Sequence, residues 1–343
     1  MAKASKATKP RLNLALQGGG SHGAFTWGVL DRIFELDLFE IDGIVGTSAG
    51  AMNAAVVACG LASGGAEGAR AKMREFWTAI SAASKKGPMQ PSLIDQMLSP
   101  GNMDFSPMWL AADALSKMFS PYQLNPLNLN PLRDTLSSVV DFDLVCHTER
   151  VRLFLCATDV MNGKIHVFKG DEISVDAVLA SACLPFLFQA VEIDGHFYWD
   201  GGYMGNPPLY PLIYNTKTSD ILICQINPIV IDELPTTAQA IMDRINTLSF
   251  NSSLMREMRI IDFISKQLDK GQLPPEHYKK LKIHVVEAEM EMRKLGASSK
   301  LNANWDFLTH LFEIGRAKAD TWVTEHFDKV GHESSVNISD KYL

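Results

Sequence analysis

The sequence predicts an α/β fold, with a parallel sheet flanked by helices. Three observations carry that expectation. From residue 11 to residue 83 short apolar runs of strand length alternate with helical patterns. Each of the first two runs ends in a glycine-rich turn, and strongly apolar strand segments return at Val151 to Thr158 and Asp220 to Ile226. Strands alternating with helices in this way are the pattern of parallel sheets with helical cover.

Arg11 to Gln17 is an apolar run that enters a tight loop at Gly18-Gly19-Gly20. Ser21 to Leu38 follows as a helix, with Phe25, Val29, Ile33 and Leu36 close to a three-to-four spacing. Ile41 to Val45 is a second strand, running directly into Gly46-Thr47-Ser48-Ala49-Gly50. A small-residue helix extends to about Ala62 and another covers Glu67 to Ala83. Between Gly87 and Pro131 seven prolines interrupt segments rich in Met, Leu, Phe and Trp109. So long a connection inside a domain has the character of a lid or a lipid-facing cap, or of an insertion packed on the body.

Val151 to Thr158 resumes the strands, and Asn162-Gly163 turns the chain into Lys164 to Phe168. Ile173 to Cys183 is a helix stopped by Pro185, and Val191 to Trp199 turns at Asp194-Gly195 before reaching Asp200-Gly201-Gly202. Asp220 to Ile226 is another core strand. The remainder is helical at about Thr237 to Lys270 and Asn302 to Phe327, with one strand at Lys282 to Val286. With no internal repeat or linker, the expectation is one domain at 12–330. It comprises a core (12–226), the Pro-rich insertion (87–131) and a helical C-terminal part (235–330). A basic flexible tail at 1–11 and a short tail at 331–343 flank it.

The chain has 343 residues, 46% of them hydrophobic, enough for a large single core. Its net charge of −7 argues against a nucleic-acid protein, whose domain is usually basic. The most apolar stretch, Ala49 to Ala62, is well short of the ~20 residues of a spanning helix. Lys3, Lys6, Lys9 and Arg11 precede no apolar segment, so the N-terminus does not read as a secretory signal. The five cysteines are odd in number and scattered without a CxxC pair. They read as buried reduced thiols in a cytoplasmic protein, and the nine histidines show no metal-ligand spacing.

Two glycine motifs carry the chemistry. Gly18-Gly19-Gly20-Ser21-His22-Gly23 fits the dinucleotide fingerprint, but that reading needs an acidic residue at the end of the second strand. Glu40 and Asp42 stand at the near end of that strand, and Gly46-Thr47-Ser48-Ala49-Gly50 occupies its far end. A G-x-S-x-G between strand and helix is a nucleophile elbow, and its helix start offers backbone N–H groups beside the serine. Gly19 and Gly20 in the first loop, with Ala49, can then donate to a developing oxyanion. For the base, Asp200 ends an apolar segment before two glycines, while His196 stands in the preceding hairpin. The residues alone leave these two as rivals, with His147 and His166 less well placed.

Gly18-Gly19-Gly20-Ser21-His22-Gly23, Gly46-Thr47-Ser48-Ala49-Gly50-Ala51 and Asp200-Gly201-Gly202, in that order, resemble the three signature blocks of the patatin-like phospholipases. Ala180-Ser181-Ala182-Cys183-Leu184-Pro185 resembles a further block, and the likeness spans about Leu12 to Ile226. It implies a three-layer α/β/α sandwich with a mainly parallel central sheet, related to the cytosolic phospholipase A2 catalytic domain. It also implies a Ser48–Asp200 dyad without histidine, an acyl-enzyme, and hydrolysis of lipid acyl esters with no metal or cofactor. The oxyanion hole would come from Gly18, Gly19, Gly20 and Ala49, the elbow from Gly46 and Gly50. Gly201, Gly202, His22 and Gly23 would support them. His22 departs from the pattern, since the family's loop often carries Lys or Arg there, and a histidine does not assure a fixed charge. An acyltransferase with the same dyad and a non-catalytic lipid-binding protein stay open. The expected partner is a lipid or other acyl ester, with peripheral membrane contact and oligomerisation undecided.

Overall fold

Side-chain alternation along the central strands sorts the interior into two halves. The computed structural model describes residues 9–343. In β1 (Arg11–Leu16), Leu12, Leu14 and Leu16 face one core and Ala15 the other. β2 (Glu40–Thr47) divides Ile44 from Val45 in the same way, and β3 (Arg152–Asp159) divides Leu155 from Phe154 and Cys156. Strands buried on both faces must be apolar throughout, which is why they read as unbroken runs in the sequence.

β4 (Ile165–Phe168), β5 (Val191–Ile193), β6 (His196–Asp200), β7 (Asp220–Gln225) and β8 (Lys282–Glu287) complete one sheet. Its order is β5-β6-β3-β2-β1-β7-β8, with β4 folded back on β3. From β3 through β2, β1 and β7 to β8 the pairing is parallel, whereas the β3–β4, β3–β6 and β5–β6 pairs are antiparallel.

Helices cover both faces, giving the three-layer sandwich expected. α1 (Gly23–Leu36) and α2 (Ala49–Lys85) lie on the first face. Gly65, at φ 65 with non-helical ψ, breaks α2 into the two arms read from the sequence. α2 is long and apolar enough to cross a membrane, but 67% of its apolar window is buried inside the protein, as in a core helix.

The 87–131 insertion differs from the Pro-broken connection expected. It folds into α3 (Leu93–Leu98), α4 (Pro107–Met118) and α5 (Pro121–Leu124), followed by α6 (Pro131–Val139) and α7 (Phe142–His147). Pro107, Pro121 and Pro131 open helices behind Ser106, Ser120 and Asn130. A proline at the first helical position forfeits no hydrogen bond and presets φ, so these residues start helices here.

α8 (Val175–Ser181) and α9 (Tyr210–Asn215) precede a long α10 (Ala238–Asp269). α11 (Glu289–Met292), α12 (Trp305–His326) and α13 (Ile338–Tyr342) follow. α12 packs on α1, where Arg70 of α2 and Arg316 of α12 both pair with Asp31 and Glu35. α10 and α13 lie over the second core. Residues 331–343, expected as a tail, are instead anchored: Ile338 and Tyr342 are buried, and Tyr342 Oη donates to Gln225 Oε1 at 2.8 Å. The basic tail expected at 1–11 falls mostly outside the described residues, and Arg11 already belongs to β1.

Candidate active site

β2 ends at Thr47 and α2 begins at Ala49, so one residue must reverse the chain. That residue is Ser48, with φ 56 and ψ −124. A side chain there costs on the order of 1–3 kcal/mol of backbone strain, which the surrounding structure must impose. The crowding is visible at the flanking glycines. A Cβ on Gly46 would lie 2.3 Å from the Gly50 carbonyl oxygen, and one on Gly50 only 2.1 Å from that of Leu16. The Ser48 N–H donates to Ser181 Oγ at 2.9 Å, and Thr47 Oγ1 donates to the Gly205 carbonyl at 2.7 Å. These bonds pin the elbow from two sides.

Because β1 runs parallel beside β2, the loop after β1 opens next to Ser48. A Cβ on Gly18 would stand 2.6 Å from Ser48 Cβ, so only glycine lets the two loops touch. Three amide side chains hold the loop. Asn206 Oδ1 accepts from the Gly18 N–H at 2.6 Å, and Asn227 Nδ2 donates to the Gly18 carbonyl at 2.8 Å. Gln17 Oε1 accepts from the N–H groups of Ile226 and Asn227 at 2.9 and 3.0 Å. The N–H groups of Gly19, Gly20 and Ala49 have no hydrogen-bond partner among the described residues. The positive end of the α2 dipole lies at the same place.

Asp200 ends β6, opposite Ala157 of β3 and two strands from β2, a lateral offset of about 10 Å between backbones. It is fully buried. Its N–H donates to the Cys183 carbonyl at 2.7 Å, and its Oδ1 accepts from the Gly202 N–H at 2.7 Å. Oδ2 is buried without a hydrogen-bond partner among the described residues. Burial pushes the carboxyl up to about 6, against the Gly202 N–H, the Ser48 hydroxyl and the charge of Lys300, which all pull it down. The Ser48 hydroxyl is therefore close enough to act on the carboxyl, yet no formed hydrogen bond joins them. A carboxyl near 6 is mostly ionised at neutral pH while being a stronger base than an ordinary aspartate. Gly201 and Gly202 let this loop seat: a Cβ on either would come within 2.2 Å of the Cys156 carbonyl or the Phe250 ring.

The family model for patatin-like phospholipases matches residues 14–213, which contain the elbow, the glycine loop and Asp200. The chain belongs to the patatin-like phospholipase family. That makes it a member of a family of lipid acyl hydrolases. A search of curated protein sequences gives no match. Among solved structures, VipD from Legionella pneumophila is similar at 13% identity and a TM-score of 0.45, over 98% of this chain and 73% of that one. The ExoU–SpcU complex from Pseudomonas aeruginosa holds a chain similar at 16% identity and a TM-score of 0.41, covering 94% of this chain and 53% of that one. The type III effector ExoU is similar at 14% identity and a TM-score of 0.34, over 92% and 53% of the two chains.

In this patatin-like protein one expected donor is already engaged. Gly18 leaves the oxyanion set, because its N–H is held by Asn206 and faces the interior. His22 is buried, bonds Ser299 Oγ through Nε2 at 2.7 Å, and is lowered to about 3 by burial and by Lys300. It is therefore neutral, and the glycine loop carries no cation. Gly23 opens α1 against Ala49 and Trp77, where a Cβ would stand 3.0 and 3.2 Å from their side chains.

His196 lies at the opposite end of β6 from Asp200, exposed and 3.3 Å from Asp159 Oδ2. A five-residue strand spans about 13 Å, so this imidazole is far from the elbow. His166 packs between Phe168 and Tyr198, and His147 bonds the Asp143 carbonyl within its own helix. Sequence reasoning missed Asn206, Asn227 and Lys300, which carry no motif, and it quoted Ser181 only inside a block.

Proposed function

We propose that this protein hydrolyses acyl esters of lipids through a covalent acyl-enzyme, with Ser48 as nucleophile and Asp200 as base. The observation that carries this reading is the buried, unpartnered Oδ2 of Asp200 beside a serine held in a strained turn. In the first step Asp200 accepts the Ser48 proton while Ser48 Oγ attacks the ester carbonyl. The negative charge passes from the carboxylate to the carbonyl oxygen, where the Gly19, Gly20 and Ala49 N–H groups receive it. Each such donor typically contributes ~3 kcal/mol of transition-state stabilisation. The proton then leaves with the alcohol, and Asp200 activates a water that releases the fatty acid. The test is a fluorophosphonate probe with purified protein. Wild type should be labelled and should turn over p-nitrophenyl esters, whereas Ser48→Ala and Asp200→Asn should do neither while remaining folded. Ester turnover surviving Ser48→Ala would overturn the assignment.

Contact with a lipid surface belongs to the same reading. The insertion exposes Leu93, Met97, Leu98, Met118, Leu127 and Leu129, with Met97 82% accessible, and α4 buries none of its residues. Large apolar side chains exposed in such number along one segment mark a surface suited to a partner. The insertion is tied down on both sides of the site. Met103 N–H donates to Ser298 Oγ at 3.0 Å beside the glycine loop, and Gln189 Nε2 donates to the Asn125 carbonyl at 2.7 Å beyond Cys183. An apolar rim so placed faces the substrate's own phase, and we take a lipid surface as its occupant.

A further inference from the structure

The glycine loop has a neutral histidine where a cation would meet an anionic substrate, yet the site is not without positive charge. Lys300 reaches it from the short turn Ser298–Leu301, outside the part of the chain that matches the family. Its backbone lies directly on the loop: a Cβ on Gly20 would be 2.3 Å from the Lys300 carbonyl oxygen and 3.2 Å from Lys300 Cβ. Its ammonium bonds Asn227 Oδ1 at 3.3 Å, the same side chain that holds the Gly18 carbonyl. The ammonium also stands 5.8 Å from the centroid of the Phe250 ring, which packs on Gly202 in the Asp200 loop. Lys300 thus touches the supports of both loops.

No carboxylate lies within ion-pair distance of Lys300 among the described residues, although Asp200 and Asp243 are near enough to favour its charged form. Burial opposes that charge. With one neutral acceptor at 3.3 Å, two of its three N–H donors have no protein partner among the described residues. A half-buried lysine with no ion pair of its own is an arrangement that favours an anion from outside.

We propose that Lys300 is the residue that recognises the phosphate of a glycerophospholipid, and so sets a preference for phospholipids over neutral esters. The inference rests on Ser48 and Asp200 being the reacting pair. In such a lipid the phosphate and the sn-2 ester sit on adjacent glycerol carbons. A cation for the phosphate must therefore border the oxyanion donors, and Lys300 borders Gly20.

The experiment compares the full chain with Lys300→Gln and Lys300→Arg on two substrates. One is a short-chain phosphatidylglycerol kept monomeric, so that surface docking does not enter; the other is p-nitrophenyl butyrate. Loss of a hydrogen bond to a charged group predicts that Lys300→Gln lowers kcat/KM on the phospholipid about 30-fold, mostly through KM. The neutral ester registers the effect of Lys300 on Asp200 and on the glycine loop, and its loss should be smaller than that of the phospholipid by about tenfold or more. Lys300→Arg, which keeps the charge, should restore most of the phospholipid rate. Equal losses on both substrates would overturn the proposal, as would an arginine variant no better than glutamine. Wild-type turnover of the neutral ester with none of the phospholipid would overturn it too. Absence of wild-type turnover on both substrates would instead sink the Ser48–Asp200 reading.

Discussion

Asp200→Asn should make the protein more stable while removing its activity, and the size of the gain follows from the buried carboxyl. Burial raises Asp200 from 3.8 to about 6. At ~1.4 kcal/mol per unit, holding it ionised in the folded state costs on the order of 3 kcal/mol. The sign follows from proton binding. The folded state holds this proton more tightly than the unfolded chain does, so the cost is fully present above pH 6. It fades as the pH falls and is gone below about 4, where both states are protonated. Asparagine has nearly the same shape, keeps an acceptor for the Gly202 N–H and never ionises. The variant should therefore exceed wild type by about 2–3 kcal/mol at pH 8, which for a chain of this length is a rise in Tm of roughly 3–4 °C. Thermal melts of both proteins at pH 8 and pH 4.5 measure it. The reasoning is refuted if the variant is no more stable at pH 8, or if its margin does not shrink at pH 4.5. A gain in stability coupled to loss of turnover is the mark of a group retained for chemistry.

Three further outcomes follow from the same geometry. On a water-soluble ester, kcat/KM should fall tenfold per pH unit below about pH 6 and level off above it, because the proposed base must be ionised. A midpoint near 4 in the pH–rate profile would remove burial as its cause. Gly18→Ala places a Cβ 2.6 Å from Ser48 Cβ. It should cost about 1–3 kcal/mol in denaturant unfolding, and a misplaced nucleophile should lower ester turnover at least ~100-fold. Unchanged turnover would mean that the loop and elbow do not touch. Replacing Met97, Leu98, Leu127 and Leu129 together by Ser removes four exposed apolar side chains. Vesicle binding by co-sedimentation should drop at least ~10-fold, since each side chain buried in lipid is worth about 1.5–3 kcal/mol. Turnover of a monomeric ester should be unchanged, and equal loss on both would show that the insertion supports the fold.

The fold and the serine elbow were legible because local chemistry forces them, whereas the residues alone left Asp200 and His196 as rival bases and only the family resemblance favoured Asp200. A strand buried on both faces has to be an unbroken apolar run, as at Leu153 to Ala157. A turn that brings Gly50 against the Leu16 carbonyl excludes any Cβ, so the glycines flanking Ser48 are written into the chain. The insertion was misread because proline marks both a break and a helix start. Pro107, Pro121 and Pro131 act as starts only by virtue of Ser106, Ser120 and Asn130 before them. The donor role first given to Gly18 failed for a different reason: its N–H is taken by Asn206, far away in sequence.

The C-terminal third hides its contribution most completely. Lys300 sits in a four-residue turn, and its place beside the loops depends on β8 joining the sheet edge and on α10 carrying Phe250 to Gly202. None of those contacts has a period or a motif, because a lysine among ordinary residues looks like any solvated charge. The same distance that makes Lys300 unreadable also frees it to vary. The elbow cannot change without colliding with Leu16, whereas in the turn at 298–301 Ser298 and Ser299 hold Met103 and His22 and the Lys300 backbone lies on Gly20, which leaves the Lys300 side chain outside that close packing. Reaction and selectivity thus fall under different constraints. The loops that fix Ser48 and Asp200 are dictated by close packing, and the charge that would choose among esters comes from a side chain that packing constrains less.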